Sequence, residues 1–362
     1  MNMTQSIDNK NTWLSGFKTA RCLRVVNETW DVKTFWFALE NNDALSFKPG
    51  QFLSFTFNID GKTINRCYSI SSSPTQPYQF GITIKRVPGG LVSNWTHDHL
   101  NVESKVTVAP PTGHFNCIDI TAKKYLFLSG GSGITPSMSM IRWMQDSGQT
   151  PDVHFVYSAR SPKDIIFKDE LLQIDAKWPN FQLSILCEEK CPENGWSGYR
   201  GRLTANQVQH ICPDYTERTI MCCGPEPYMK AVRQILESID FPMENYVEES
   251  FGAPAPSTSE LSQSPEESSD KRVKIDVQLN FTTTNKQASG ESKTSVLDTA
   301  QANGIWIQAG CRTGICGSCK VIKTSGSITM DEQPIGLSKE EITEGYILAC
   351  CSYPQSDLSI KA

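Results

Sequence analysis

Between Thr34 and Leu39 the chain alternates: Phe35, Phe37 and Leu39 fall on one face of an extended segment, and Thr34, Trp36 and Ala38 on the other. Leu53, Phe55 and Phe57 repeat the pattern within Phe52–Phe57. A period of two marks a strand with one face in a core. Lys48-Pro49-Gly50, Asp60-Gly61 and Pro88-Gly89-Gly90 separate such runs as turns. From Trp13 to Asn116 the pattern therefore predicts a small antiparallel β-barrel, with one helix-like stretch from Val92 to Leu100.

From about Lys123 the period changes. Tyr125-Leu126-Phe127-Leu128-Ser129 is apolar almost throughout, as a strand covered on both faces must be. Val153–Tyr157 and Ile220–Cys223 read as further strands, and Ser137–Gln145 and Tyr228–Glu237 as helices. The succession predicts an α/β domain with a doubly wound parallel sheet. Gly252 to Asp270 is rich in Pro, Ser and Glu without an apolar period, and reads as a tether able to span about 25 Å. Alternation resumes at Val273–Val277, Leu279 and Phe281, and Ser295–Ala300 opens a short helix. The expected domains are thus 12–120, 121–251 and 271–362, with 252–270 as linker.

Thirteen cysteines in 362 residues change the picture. Cys311-x4-Cys316-x2-Cys319, followed at a distance by a fourth cysteine, is the spacing a [2Fe–2S] cluster needs: three thiolates from one loop and one from a distant segment. Gly310, Gly314 and Gly317 let that loop turn its N–H groups inward. Zinc would more usually show two Cys-x2-Cys knuckles or accompanying His, and no His follows His210. Cys350 and Cys351 compete for the fourth position. Cys187-x3-Cys191 reads as two unrelated thiols, and His97 and His99, beside Asp98, as solvated residues of a helix surface.

Charge and length set further limits. A net charge of −5 without a Lys/Arg run argues against nucleic acid. No apolar stretch reaches membrane-spanning length, and Met1–Asn11 is polar, without the apolar core of a signal peptide. A cluster protein with an odd number of thiols suits a reducing cytoplasm; a monomer is expected.

Three stretches suggest nucleotides. Arg66-Cys67-Tyr68-Ser69 ends a strand, where Arg offers a fork for phosphate and Tyr a face for a flat ring. Lys85 precedes Gly89-Gly90-Leu91-Val92-Ser93, glycines opening a helix whose N–H groups can meet a pyrophosphate. Gly130-Gly131-Ser132-Gly133-Ile134-Thr135-Pro136 lies between strand and helix, where a second nucleotide phosphate can sit. Pro136 occupies the third glycine position of the dinucleotide fingerprint, and Ser158 stands where a ribose-binding acid is usual. Arg160 follows, and could take a 2′-phosphate.

Residues 271–362 resemble the plant-type ferredoxin family, whose α+β (β-grasp) fold places the fourth ligand after Leu-Ala, here Leu348-Ala349-Cys350. Arg66-x-Tyr68-Ser69 with Gly90-x-x-Ser93 resembles the flavin barrel of the ferredoxin–NADP reductase family. Gly131-x-Gly133-x-Thr135-Pro136, Cys223-Gly224-Pro225 and Glu249-Ser250-Phe251-Gly252 resemble its nicotinamide domain. The resemblance implies that Arg66 and Ser93 meet flavin phosphates, Tyr68 and Ser69 the isoalloxazine and ribityl, and Gly90, Leu91 and Val92 the pyrophosphate side. It also implies Cys223 and Thr135 beside the nicotinamide and flavin, Glu249 in the catalytic set, and Phe251 near the isoalloxazine. Gly131, Gly133, Ser158, Arg160, Gly224 and Pro225 would hold the dinucleotide. The Gly-x-x-Ser form is more like FAD-binding than FMN-binding members, and NADH is favoured over NADPH, with Arg160 pulling the other way.

The domain order is similar to that of phthalate dioxygenase reductase-like proteins and implies an oxidoreductase carrying electrons from NADH through FAD and [2Fe–2S] to a separate metalloprotein. Phe115–Ile120 and Trp196–Gly201 resemble reductase components of Rieske-type oxygenases, especially those serving quaternary-ammonium substrates such as glycine betaine. The reductase of hybrid-cluster protein shares the architecture and gives the alternative partner. An iron–sulfur redox sensor with degenerate flavin parts is a different class, against which the intact Arg66, Tyr68, Ser69, Gly131, Gly133 and Cys223 speak.

Overall fold

In the computed structural model the first strand, β1 (Lys18–Asn27), pairs antiparallel with β2 (Val32–Leu39), which turns Phe35, Phe37 and Leu39 into the core as its alternation requires. The structure describes Trp13, Ala309, Gly314 and residues 16–189, 196–251, 275–307, 317–330, 336–337 and 339–362. The 252–270 tether, Val273-Lys274, Cys191, Cys311 and Cys316 lie outside the described residues. Two compact units divide between Phe251 and Gly252.

The first unit begins with the predicted barrel. β3 (Phe52–Ile59), β4 (Lys62–Ser69), β5 (Phe80–Lys85) and β6 (Lys105–Val108) complete a six-stranded antiparallel sheet in the order β4-β3-β6-β1-β2-β5. Its end strands meet where Ile70 bridges Ile82, so the sheet curls on itself around Phe37, Phe55, Phe57 and Phe80. Helix α1 (Leu91–His99) crosses between β5 and β6. One expectation fails here. His97 is buried, not solvated: its Nε2 meets the Ile84 carbonyl at 2.9 Å and its ring stands edge-on to Phe35. Burial lowers its pKa, so it serves as a core residue. His99 stays at the surface, stacked on Trp95.

The second half of this unit alternates β7 (Lys124–Gly130), α2 (Ile134–Asp146), β8 (Asp152–Ala159), α3 (Lys168–Lys177), β9 (Phe181–Cys187), β10 (Tyr199–Arg200), α4 (Ala205–Ile211), β11 (Thr219–Cys223), α5 (Glu226–Ser238) and β12 (Tyr246–Glu249). All five strand pairings are parallel, in the order β10-β9-β8-β7-β11-β12. β7 is buried along nearly its whole length, with Phe127 facing one apolar layer and Leu126 and Leu128 the other. Helix α2 starts at Ile134, three residues before the expected Ser137. Pro136 is tolerated because a first-turn residue has no helical N–H bond to lose.

Arg218, 6 % exposed, ties the far end of this sheet together. It donates to both carboxylate oxygens of Asp214 (2.8 and 3.0 Å), to Asp152 Oδ1 (2.7 Å) and to the Tyr125 carbonyl (3.1 Å). Lys124 reaches Asp214 at 2.9 Å.

In the second unit, strands β13 (Asp276–Phe281), β14 (Lys286–Glu291), β15 (Lys320–Ser325), β17 (Tyr346–Leu348) and β19 (Leu358–Lys361) form one mixed sheet, ordered β14-β13-β19-β15-β17. β16 (Ile328–Met330) pairs with β18 (Ser352–Pro354), and α7 spans Lys339–Thr343. Helix α6 (Val296–Ala302) begins as the sequence suggests, Ser295 Oγ accepting from the Asp298 N–H at 3.0 Å. Val277, Leu279 and Phe281 point into a core shared with Leu297, Ala300 and Leu348. No helix among the described residues is long and apolar enough to cross a membrane.

Arg218→Met leaves Asp152 without this cation and Asp214 with Lys124 alone, and should cost roughly 3 kcal/mol, about 6–12 °C of the parallel-sheet transition in calorimetry. The arginine and lysine hold the Asp214 carboxyl well below its ordinary value. Its share of stability is therefore present above the usual aspartate range and disappears as pH falls through it towards the lower folded value. An unchanged midpoint would show that the network contributes nothing.

Candidate functional site

The parallel sheet changes direction of travel between β7 and β11, and the crevice at the carboxyl ends of these strands is where such sheets take ligands. Gly133 lies so close to β11 that a Cβ there would sit 2.2 Å from the Cys223 carbonyl oxygen. Only glycine allows this approach. It presses the turn before Thr135 directly against Cys223 and Gly224, so the two predicted motifs form one site. Thr135 is buried, its Oγ1 donating to the Ser132 carbonyl at 3.1 Å.

Strand register adds Glu249. β11 pairs with β12 so that Cys223 faces Glu249, and with β7 so that Cys223 faces Ser129. Ser69, the last residue of β4, donates from Oγ to Glu249 Oε2 at 3.4 Å. A barrel residue and a parallel-sheet residue thus touch beside Cys223. Burial pushes the Glu249 carboxyl up to about 8, against the opposing effect of Ser69. Cys223 is fully buried, and desolvation followed by the nearby Glu249 raises its pKa well above the usual thiol value. It is a neutral thiol and not a nucleophilic thiolate.

The barrel presents a second group of predicted residues. Arg66 Nη1 donates to the Asn65 carbonyl (2.8 Å) and has no acidic partner among the described residues. Tyr68 stands edge-on to Phe55 and Phe57, and burial raises its pKa. Gly90 precedes α1, whose first turn leaves the N–H groups of Leu91, Val92 and Ser93 without helical acceptors. Ser93 Oγ accepts from the Val87 N–H (3.1 Å) and fixes that turn. An unpaired guanidinium, an open helix N-terminus and an aromatic face fit the phosphates and flat ring of a flavin nucleotide. Lys85 is the exception, since it is already engaged with the buried Asp31 at 3.3 Å.

At the far side of the crevice Ser158 pairs with Gly130 across β7 and β8, while Arg160 is exposed beyond the end of β8. Pro225 precedes the first turn of α5. Phe251 is 46 % exposed at the end of the unit. Tyr228 was not foreseen as more than the start of a helix. Its ring packs over Gly130 and Gly224, where Cβ atoms would approach it to 3.0 and 2.7 Å. Its place three residues after Pro225 is the only trace it leaves in the sequence.

In the second unit, Ala349 N–H donates to the Cys319 carbonyl at 3.0 Å, and Lys320 pairs with Leu348. The β15–β17 pairing thereby carries Cys319 and Cys350 to one end of the sheet, both buried in the same apolar core. Gly317, with φ +70°, has its Cβ position 3.0 Å from the Gly336 carbonyl oxygen. This tight, left-handed turn beside buried soft donors fits an iron–sulfur cluster. Cys351 is only half-buried.

Three family models match consecutive stretches: an oxidoreductase FAD-binding domain over residues 22–117, an oxidoreductase NAD-binding domain over 127–234, and a 2Fe-2S iron-sulfur cluster binding domain over 281–355. The glycine betaine monooxygenase reductase subunit of Pseudomonas aeruginosa is 46 % identical over 353 residues, 96 % of each chain. NADH oxidoreductase HCR of Escherichia coli is 31 % identical over 336 residues, 92 % of this chain and 94 % of that one. The solved structure of phthalate dioxygenase reductase, 22 % identical, superposes with a TM-score of 0.60 across 96 % of this chain and 98 % of its own. That likeness extends the shared fold through all three domains.

A carboxyl titrating near 8 has a kinetic signature. Glu249 is neutral at pH 7, and above about pH 8 its charge appears beside Cys223, so flavin reduction by NADH should slow there. Glu249→Gln should flatten that limb in stopped-flow traces across pH 6–10; a limb that survives would place the titration elsewhere. The native state keeps a proton that the unfolded chain releases above 4.5. Stability contributed by this group therefore declines from about pH 4.5 to 8 and levels off beyond. Cys223→Ala should slow hydride transfer while FAD content stays at wild-type level, read from the flavin absorbance of the purified protein.

Proposed function

Because the chain belongs to the ferredoxin–NADP reductase superfamily of FAD- and NAD-binding oxidoreductases that carry a C-terminal [2Fe–2S] domain, we propose that it supplies electrons from NADH to a separate Rieske-type oxygenase acting on a quaternary-ammonium substrate of the glycine betaine kind. The chain is an NAD(P)H-dependent oxidoreductase whose cofactors are FAD and a [2Fe–2S] cluster. When bound, the flavin takes two electrons as hydride and releases them singly to the one-electron cluster.

The residues divide that task. Arg66, Ser93 and the N–H groups opening α1 hold flavin phosphates; Tyr68 and Ser69 flank the ring and ribityl chain. Gly90 keeps the approach to the pyrophosphate open. On the other side, Gly131, Gly133, Gly224 and Pro225 line the dinucleotide crevice, and Ser158 and Arg160 face its adenosine end. Thr135 and Cys223 would flank the nicotinamide, and Cys223 is a buried, neutral thiol there. Glu249 keeps a proton at the junction because burial outweighs the hydrogen bond that Ser69 donates to it. Cys311, Cys316, Cys319 and Cys350 ligate the cluster. Phe251 follows β12 on the flavin side. Lys85 acts at one remove, holding Asp31 below the α1 turn.

The single observation that supports this partner class is a near-full-length relationship of 46 % identity to a glycine betaine monooxygenase reductase subunit, which spans all three domains. The hybrid-cluster alternative has the same architecture and the 31 % identity to NADH oxidoreductase HCR behind it, a more distant relationship than the 46 %.

The test is anaerobic. The protein is reduced with one equivalent of NADH, flavin bleaching and a reduced [2Fe–2S] EPR signal are recorded, and it is mixed with a glycine betaine-type Rieske oxygenase or with hybrid-cluster protein. Fast reoxidation by the oxygenase is expected; electron uptake by hybrid-cluster protein alone would overturn the partner. Cys316→Ser should abolish delivery to the oxygenase yet leave ferricyanide reduction, drawn from the flavin, largely intact. Equal loss of both activities would show that the cluster does not lie after the flavin.

A further inference from the structure

Helix α2 is bound to the barrel immediately beyond the two ends of the proposed hydride path. Ser139 Oγ donates to the Ser72 carbonyl at 2.8 Å in a fully buried contact. Arg142 Nη1 donates to the Ser71 carbonyl at 2.5 Å. One helical turn further, Thr75 Oγ1 donates to Asp146 Oδ2 at 2.5 Å. Neither carbonyl is a loose loop group. Ser71 N–H donates to the Gly81 carbonyl (2.8 Å), Ser71 Oγ meets Thr83 Oγ1 (2.9 Å), and Thr83 meets Thr34 (2.8 Å). Gly81 N–H returns a bond to Ser72 Oγ at 3.0 Å. The anchoring therefore runs through β5 to β2.

Arg142 is itself fixed from three sides. Its Nε and Nη2 form a fork with the two Glu170 oxygens at 2.7 and 2.5 Å. Its guanidinium lies 4.5 Å from the centre of the Phe167 ring. Phe167 holds φ +57°, a left-handed conformation that a residue with a bulky side chain rarely adopts. A planar group with five donors can serve the fork, the carbonyl and the ring face together; a lysine ammonium cannot.

The spacing gives this cluster a consequence for chemistry. Ser71 follows Ser69 by two residues, and Ser139 follows Thr135 by one helical turn, about 6 Å of rise. The flavin-side residues Tyr68 and Ser69 and the nicotinamide-side turn Gly131–Thr135 are each a few bonds from the same seam. We propose that Arg142, with Ser139, is a positioning residue that sets the register between nicotinamide and flavin. It touches neither ring and acts through the Ser71 and Ser72 carbonyls. The proposal rests on the reading that hydride crosses from the crevice to the barrel.

The full-length holoprotein is mixed anaerobically with NADH in a stopped-flow instrument. The limiting rate of flavin reduction, the half-saturating NADH concentration, the long-wavelength charge-transfer absorbance of NADH against oxidised flavin and the FAD content are read for each variant. Arg142→Met should lower the limiting rate about 10- to 100-fold and weaken the charge-transfer band. Half-saturation should stay within about twofold, with FAD retained, because misalignment affects ring overlap more than binding. Arg142→Lys should recover part of the rate. A limiting rate within about twofold of wild type, with FAD retained, would overturn the proposal. So would a loss that follows FAD content and vanishes when FAD is restored, since that is a purely structural role. Should Arg142→Met not fold, Ser139→Ala removes one bond of the seam; it should lower the limiting rate severalfold, and an unchanged rate would overturn the proposal. Failure of the wild-type flavin to bleach with NADH would instead remove the functional reading on which it stands.

Discussion

Backbone meets backbone where Gly133 lies against Cys223 and Gly224, and the active region of the first unit depends on that approach. With a side chain at Gly133 the turn between β7 and α2 would have to lift off β11. Thr135 would leave Cys223, and the crevice at the strand ends would lose its shape. The parallel register then adds Glu249 to Cys223, and Ser69 of the barrel reaches Glu249. A close contact between two main chains is thus what allows side chains of two domains to converge.

The two ends of the parallel sheet are built on opposite principles. At the amino ends Arg218 gathers Asp214, Asp152 and a main-chain carbonyl into a saturated ionic network, where every charge has a partner. At the carboxyl ends of β11 and β12 two titratable groups stay neutral: Glu249 holds its proton and Cys223 stays a thiol. Desolvation without a counter-ion disfavours the charged form.

The cluster unit uses a different device. Its buried cysteines 319 and 350 are separated by thirty residues and brought to one end of the sheet by the β15–β17 pairing. The half-buried Cys351 follows Cys350 directly in the turn between β17 and β18, its N–H donating to the Leu348 carbonyl at 3.1 Å. Cys350 is the more deeply buried of the two neighbouring thiols, in the core that holds Cys319.

By itself the sequence determined the elements and the motifs, because these are local. Period-two alternation located β2 and β3, the apolar run located β7, and Ser295 marked the start of α6. The cysteine spacing and the Arg66–Ser69 stretch are chemistry written in adjacent residues. Folding decided what depends on distance in space. His97 reads as a surface residue of an amphipathic turn, but the curl of the barrel gives it the Ile84 carbonyl as partner. Lys85 reads as a cofactor-binding residue, but the pairing of β2 with β5 brings Asp31 to it. The raised pKa of Glu249 has no local signal, since it comes from burial where the barrel meets the parallel sheet, and its hydrogen-bond donor Ser69 lies 180 residues away. Tyr228 and Arg142 likewise owe their places to backbone from other strands, which no pattern along one helix can reveal.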